Sequence, residues 1–327
     1  MGAIGRTALF FAAVALLRAE TCVEGRNLFA SREYLRAQSP LWECVIFGAP
    51  DREFAHRLAL TYRDLKNYES GVARAESALA SNPKSPDCLY ILGFLHFRLG
   101  RHKESIDDLT RAYRLDEDDW RVYQLFALNY VVLDIKDGAL ASFKNAIRLN
   151  PDNAELYYQL ARFYYSDNRP DESIKVSRRA LAIFPDYPEV LDNLGLCYAS
   201  LGRYDEARAN FEQSIAVTEK TRTLNEWPYL DYATFLIKQD YAEASLPLLQ
   251  AAIQMNPASA KAYYFRGRAL RKLGRDAEAK QSFEKSMALD PNDPPPYYEL
   301  GMLLNRLGDA ANGRAMLKRF ENLRARK

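Results

Sequence analysis

The chain has 327 residues, of which 48% are hydrophobic, 27% charged and 12% aromatic, a composition that excludes a disordered or collagen-like protein. Lys and Arg total 45 against 43 Asp and Glu, a formal charge of +2, which lacks the basic excess needed to neutralise a nucleic-acid backbone. Generic nucleic-acid binding is therefore not expected.

Met1 to Arg6 carries one positive charge, Thr7 to Leu17 is an apolar run (TALFFAAVALL), and Arg18-Ala19 returns the chain to polar sequence. This is the layout of a secretory signal peptide over residues 1–19, cleaved near Ala19, with 20–327 as the mature chain. The run is about half of the roughly 20 apolar residues that cross a bilayer as a helix, so no stable membrane insertion is expected after cleavage. Glu20 just before Cys22 does not suit lipidation of that cysteine. The expected location is periplasmic or secreted, and cytoplasmic if the segment is not a signal.

Beyond this segment the chain repeats. Endings at Pro83, Pro151, Pro185 and Pro291 are spaced by multiples of 34 residues, apart from four extra at Arg222 to Asn225. Skipping those four, nine units begin at Arg18, Arg52, Pro86, Trp120, Ala154, Pro188, Glu226, Ala260 and Pro294. Position 8 of every unit is small (Gly25, Ala59, Gly93, Ala127, Ala161, Gly195, Ala233, Gly267, Gly301), and so is position 20. Position 27 is small in eight units, Phe320 being the exception in the ninth. Positions 20 and 27 lie two helical turns apart, so they share one face of a second helix and let helices approach closely.

This period and pattern resemble the tetratricopeptide repeat. The resemblance implies an all-α fold, a right-handed α-solenoid of helix-turn-helix units, in which stacked neighbours supply each other's core. Apolar residues such as Tyr157, Leu160 and Tyr164, or Leu191, Leu194 and Tyr198, form the core stripe of the first helices. Leu-Gly-Arg at 99–101, 201–203 and 273–275 places Gly where the first helix stops, and Asn-Pro, Phe-Pro or Asp-Pro marks the end of the second. The degenerate first unit is expected to act as an N-terminal cap, and the insertion at 222–225, with Glu226-Trp227-Pro228, to alter the stacking between the sixth and seventh units.

Cys22 and Cys44 occupy positions 5 and 27, at similar height in an antiparallel hairpin, so they form either a disulfide or two buried free thiols. Cys88 and Cys197 read as packing residues. His56, His96 and His102 are dispersed, and no metal site is expected. There is no GxSxG, phosphate-cradling glycine loop or HExxH. Ser282-x-x-Lys285 reads as mid-helix surface, and Asp107-Asp108 and the run Asp116–Asp119 as solvated faces and turns. No enzymatic activity and no cofactor are expected.

In the family, positions 2, 5, 9, 12 and 13 of the first helices line a concave surface. Transferred here, they give Tyr90, Phe94 and Phe97; Leu128, Val131 and Val132; Tyr158, Arg162 and Tyr165; Trp227, Leu230 and Ile237. A basic end follows, with Lys261, Tyr264, Arg268, Arg271 and Lys272, then Tyr298 and Arg306. An aromatic groove of this kind suits an extended peptide or an amphipathic helix, and the basic end an acidic side chain or terminal carboxylate. The Asn at position 9 that a chaperone-tail clamp wants is missing. The resemblance implies a non-enzymatic binding scaffold or adaptor, exported in a bacterium, with a protein or peptide as partner and self-association open. The alternative is a cytoplasmic regulatory subunit of an enzyme.

Overall fold

A small residue every seven positions on one helix and a large apolar residue opposite it can be buried only if helices pack in antiparallel pairs, and that is what the computed structural model contains. It describes residues 19–46, 52–222 and 224–325, where every helix is α-helical and no strand occurs. Helix α1 covers 19–30. It is followed by α2 (Tyr34–Ile46), α3 (Glu53–Leu65), α4 (Tyr68–Ser81), α5 (Pro86–Arg98), α6 (His102–Leu115), α7 (Trp120–Val132), α8 (Lys136–Leu149) and α9 (Ala154–Ser166). The series continues with α10 (Pro170–Ile183), α11 (Pro188–Ser200), α12 (Tyr204–Thr221), α13 (Trp227–Lys238), α14 (Ala242–Met255), α15 (Ala260–Lys272), α16 (Asp276–Leu289), α17 (Pro294–Arg306) and α18 (Ala310–Arg324). Each odd-numbered helix opens one repeat and each even-numbered helix closes it. Pairs stack on the next, α4 on α5 and α6 on α7, α14 on α15 and α16 on α17. The fold is an α-solenoid. The signal-like segment 1–18 lies outside the described residues, and among those described no helix is long and apolar enough to cross a membrane.

The chain divides into two compact units, Met1–Leu156 and Tyr157–Lys327. In the first, the core runs from Leu41, Trp42 and Leu58 through Leu89, Ile91 and Leu95 to Leu109 and Val122. In the second, Leu194, Phe211, Tyr232 and Phe235 form one cluster and Leu270, Phe283, Leu300 and Leu303 another.

The hairpin packing explains the small positions. A Cβ on Gly195 would lie 2.6 Å from the Phe211 ring, and one on Gly267 2.5 Å from that of Phe283. Two serines at position 20 add a hydrogen bond across the pair: Ser105 Oγ donates to the Gly93 carbonyl and Ser173 Oγ to that of Ala161, both at 2.7 Å. At position 27, Ser214 and Ser286 donate to the carbonyls of Pro188 and Ala260, at 2.7 and 2.9 Å. Each hydroxyl finds its acceptor in the neighbouring helix, so a polar atom is buried without penalty.

Every repeat turns through a left-handed residue at position 15. Gly100, Gly202, Gly274 and Gly308 serve four repeats, and Arg32 (φ 61°), Lys66 (56°), Asp134 (56°), Asn168 (58°) and Asp240 (64°) the other five. A side chain in this region costs about 1 kcal/mol or more relative to glycine. Lys66, which caps α3 through its N–H to the Tyr62 carbonyl, is exposed. Lys66→Gly is therefore expected to stabilise the protein by about 1 kcal/mol, read as a higher urea midpoint by circular dichroism; a lower midpoint would mean that the turn does not set the strain.

The insertion lengthens a helix. Helix α12 has 18 residues where α10 and α14 have 14: the extra residues form one more helical turn, closed by left-handed Arg222. Helix α13 then starts at Trp227 and keeps the repeat phase, with buried Ala233 at position 8 and left-handed Asp240 at position 15. In the first repeat, Cys22 and Cys44 are joined as a disulfide with Cα atoms 5.6 Å apart, while Cys88 and Cys197 are buried free thiols. Phe320, the large residue at position 27 of the last repeat, packs on Tyr298 at 5.2 Å.

Candidate functional site

Within the second unit, the first helices α9, α11 and α13 and the start of α12 enclose a cavity of about 730 Å³. Four residues assigned to the groove, Tyr158, Arg162, Tyr165 and Trp227, converge on it. Tyr158 packs on Tyr187 at 5.4 Å. Trp227 is 47% exposed and Lys261 Nζ stands 4.8 Å from its ring centroid, an attraction between cation and ring face. Phe211 and Phe235 close the floor of the cavity, and Glu189 and Lys238 stand on its walls. Asn225 holds Glu189 by donating to Oε1 at 3.0 Å.

Two of the transferred positions on α13 do not reach the cavity. Leu230 and Ile237 are core, each 1% exposed, while Thr234 and Lys238, at positions 9 and 13, line the cavity with Trp227, and Asp231, at position 6, joins them. Asp231 meets Asp192 of α11, which is 4% exposed. Burial first, then the charge of Asp231, raises the Asp192 carboxyl well above the usual carboxylate range, and burial likewise raises that of Asp231. Burial also raises the hydroxyl of Tyr165 beside them, with help from Cys197 and Asp231. The two carboxyls therefore hold a proton to higher pH than isolated ones do.

Elsewhere the expected groove is interrupted. In the first unit Tyr90 and Phe94 are core, 1% and 8% exposed: Tyr90 accepts or donates with His56 Nδ1 at 3.1 Å and lies under the Arg121 guanidinium at 4.6 Å. Phe97 packs edge-on against His102, Leu128 is half-buried, and Val131 and Val132 are exposed. The basic end is largely neutralised. Arg268 and Arg271 both reach Glu299, at 3.7 and 3.0 Å, Lys272 pairs with Asp240 and Arg306 with Asp276. Tyr264 packs on Phe265 and Phe283, leaving Lys261 and Tyr298 as the open residues of that stretch.

Three side chains read as surface are not. Asp108 is buried, accepting from His96 Nδ1 at 2.8 Å and from Arg111 at 3.2 Å. Asp119 is buried against Arg121, and Ser282 is buried with its hydroxyl on the Glu278 carbonyl at 2.9 Å. Burial lowers His56 to about 4, so it is neutral at physiological pH. Among the described residues no cluster of three or more His, Cys, Asp or Glu could hold a metal ion.

Models of the tetratricopeptide repeat match residues 56–119, 151–220 and 235–301, together more than half of the chain. No curated protein gives a significant match to the sequence. Among solved structures, the chain is similar to one in the APC/C hetero-tetramer Cut9–Hcn1, with 12% identity and a TM-score of 0.67 over 83% of this chain and 52% of that one. It therefore spans about half the length of that relative. It is also similar to a tetratricopeptide repeat protein from Parabacteroides merdae (16% identity, TM-score 0.60, 77% of this chain and 98% of that one). A third is PilW, a type IV pilus biogenesis factor (20%, 0.58, 67% and 98%). At these identities the likeness is one of fold. The three model matches, the hairpin packing at positions 8, 20 and 27 and the left-handed turn at position 15 agree: the chain belongs to the tetratricopeptide repeat family, whose members are protein-interaction scaffolds.

Proposed function

We propose that this scaffold binds an extended peptide or a helix of a partner protein in the cavity between α9, α11 and α13. The observation behind this reading is the cavity itself, 730 Å³ lined by Tyr158, Tyr165 and Trp227 together with Arg162 and Glu189. Large aromatic and arginine side chains dominate interface energies, and a cavity this size takes several side chains rather than a whole domain. Export is part of the proposal: the apolar run Thr7–Leu17 supports it, and so does a Cys22–Cys44 bridge, since disulfides persist in oxidising compartments.

Selection of short random peptides on the full chain tests the binding. The wild type is expected to enrich a peptide family, and Tyr158→Ala and Trp227→Ala each to weaken it by about tenfold or more; both side chains are partly exposed, so the fold is retained. Unchanged binding in both variants would remove the cavity from the function.

A further inference from the structure

Resting on the groove-binding reading, the chemistry of one bound group can be derived. Asp192 Oδ1 is fully buried and has no hydrogen-bond partner, and the same is true of Thr234 Oγ1; both residues line the cavity. A buried acceptor left unmade costs stability that the fold does not recover elsewhere, and core packing alone would be served by an apolar residue at either place. Opposite Asp192 stands Asp231, so two carboxyls face one space. The rings of Tyr158, Tyr165 and Trp227 border the same space and suit the stem and the charge of a long cationic side chain. The molecule's own cations do not fill it. Arg162 is exposed at the rim and acts on the pair only through space, and Lys261 is held over Trp227.

We propose that Asp192 and Asp231 seat the ammonium of a lysine or the guanidinium of an arginine carried by the bound peptide. Below the pH at which the pair ionises, the cation takes the place of a proton on the carboxyls: the peptide's charge enters, the O–H bond on Asp192 or Asp231 breaks, and one proton leaves to solvent. The groups facing the pair are Tyr158, Arg162 and Tyr165 on α9, Glu189 on α11, Lys238 on α13 and Lys261 on α15. Because binding releases a proton, affinity rises with pH while the pair titrates and levels off once it is ionised.

The test uses the full chain and short random displayed peptides. The expected outcome is enrichment of Lys or Arg at one position of the selected family. In synthetic versions, replacing that residue by norleucine weakens binding at least about tenfold, as for a lost charge-assisted hydrogen bond. Asp192→Asn and Asp231→Asn are expected to abolish the difference between lysine and norleucine peptides, and on the wild type the lysine peptide binds more tightly at neutral than at acid pH. Peptides with free and acetylated N-termini are compared; dependence on the terminal amine instead of the side chain overturns the proposal. So does equal binding of lysine and norleucine peptides by the wild type, a comparison that needs no variant and leaves the groove reading standing. Failure to select any peptide overturns the groove reading itself.

Discussion

Arg121→Met is expected to destabilise the N-terminal unit by about 3–5 kcal/mol, the typical loss when one partner of a buried ion pair is removed. Arg121 is 1% exposed. Its guanidinium meets Asp119 Oδ2 and Asp87 Oδ1, both at 2.6 Å, donates to the Arg52 carbonyl and lies over the Tyr90 ring. It thereby ties the second, third and fourth repeats together. Burial alone would depress its pKa, but the hydrogen bond and charge of Asp119 and the charge of Asp87 outweigh this and raise it. Methionine keeps the volume and leaves both acids without a counterion. Asp87 is already raised by burial, more than Arg121 lowers it. A raised carboxyl favours folding below its unfolded value and loses that contribution as pH rises through its folded value. The deficit of Arg121→Met is therefore expected to be larger at neutral pH than near pH 4. Adding Asp119→Asn, which keeps the α7 cap, and Asp87→Asn should restore part of the loss. A urea midpoint within about 1 kcal/mol of the wild type would mean the network is peripheral.

Phe211→Ala is expected to cost about 3–5 kcal/mol in the C-terminal unit, the usual range for a phenylalanine deleted from a core. Phe211 is fully buried, with ring centroids of Tyr232 and Phe235 each 5.5 Å away. It is also the side chain that makes Gly195 obligatory. Gly195→Ala alone forces the ring to shift, a loss of about 1–3 kcal/mol, offset in part by up to about 1 kcal/mol of helix propensity. In the double variant the new methyl group occupies space that the ring has left. The combined loss should therefore fall short of the sum by more than about 0.5 kcal/mol. Strict additivity would show that the two positions do not share the contact.

The fold was legible because each repeat solves the same packing problem with the same residue sizes, so Gly93, Ala127, Gly195 and Gly267 mark their phase directly. The turns were legible only where glycine fills them. Lys66, Asp134 and Asp240 hold the same left-handed conformation, but their side chains do not announce it, since the hairpin imposes it on whatever residue stands there. At the candidate site, Tyr158, Arg162, Tyr165 and Trp227 were found because they occupy concave positions of regularly phased helices. Asp231 stands at position 6, outside the concave positions, and reaches the cavity only because Asp192 is packed opposite it. Asp192 stands at position 5 of its repeat, yet a lone helical acid reads as surface until its partner, 39 residues on, is brought opposite. Tyr90 and Phe94 occupy groove positions too, but Arg121 and its acids cover the first of them.

If α9, α11 and α13 form the binding face, hydrogen exchange of the full chain with and without a selected peptide reads it out. The expected result is slowed exchange in 158–166, 189–200 and 227–239, with α10, α14 and α16 unchanged. Protection confined to those second helices, or to the N-terminal unit, would place the binding face elsewhere.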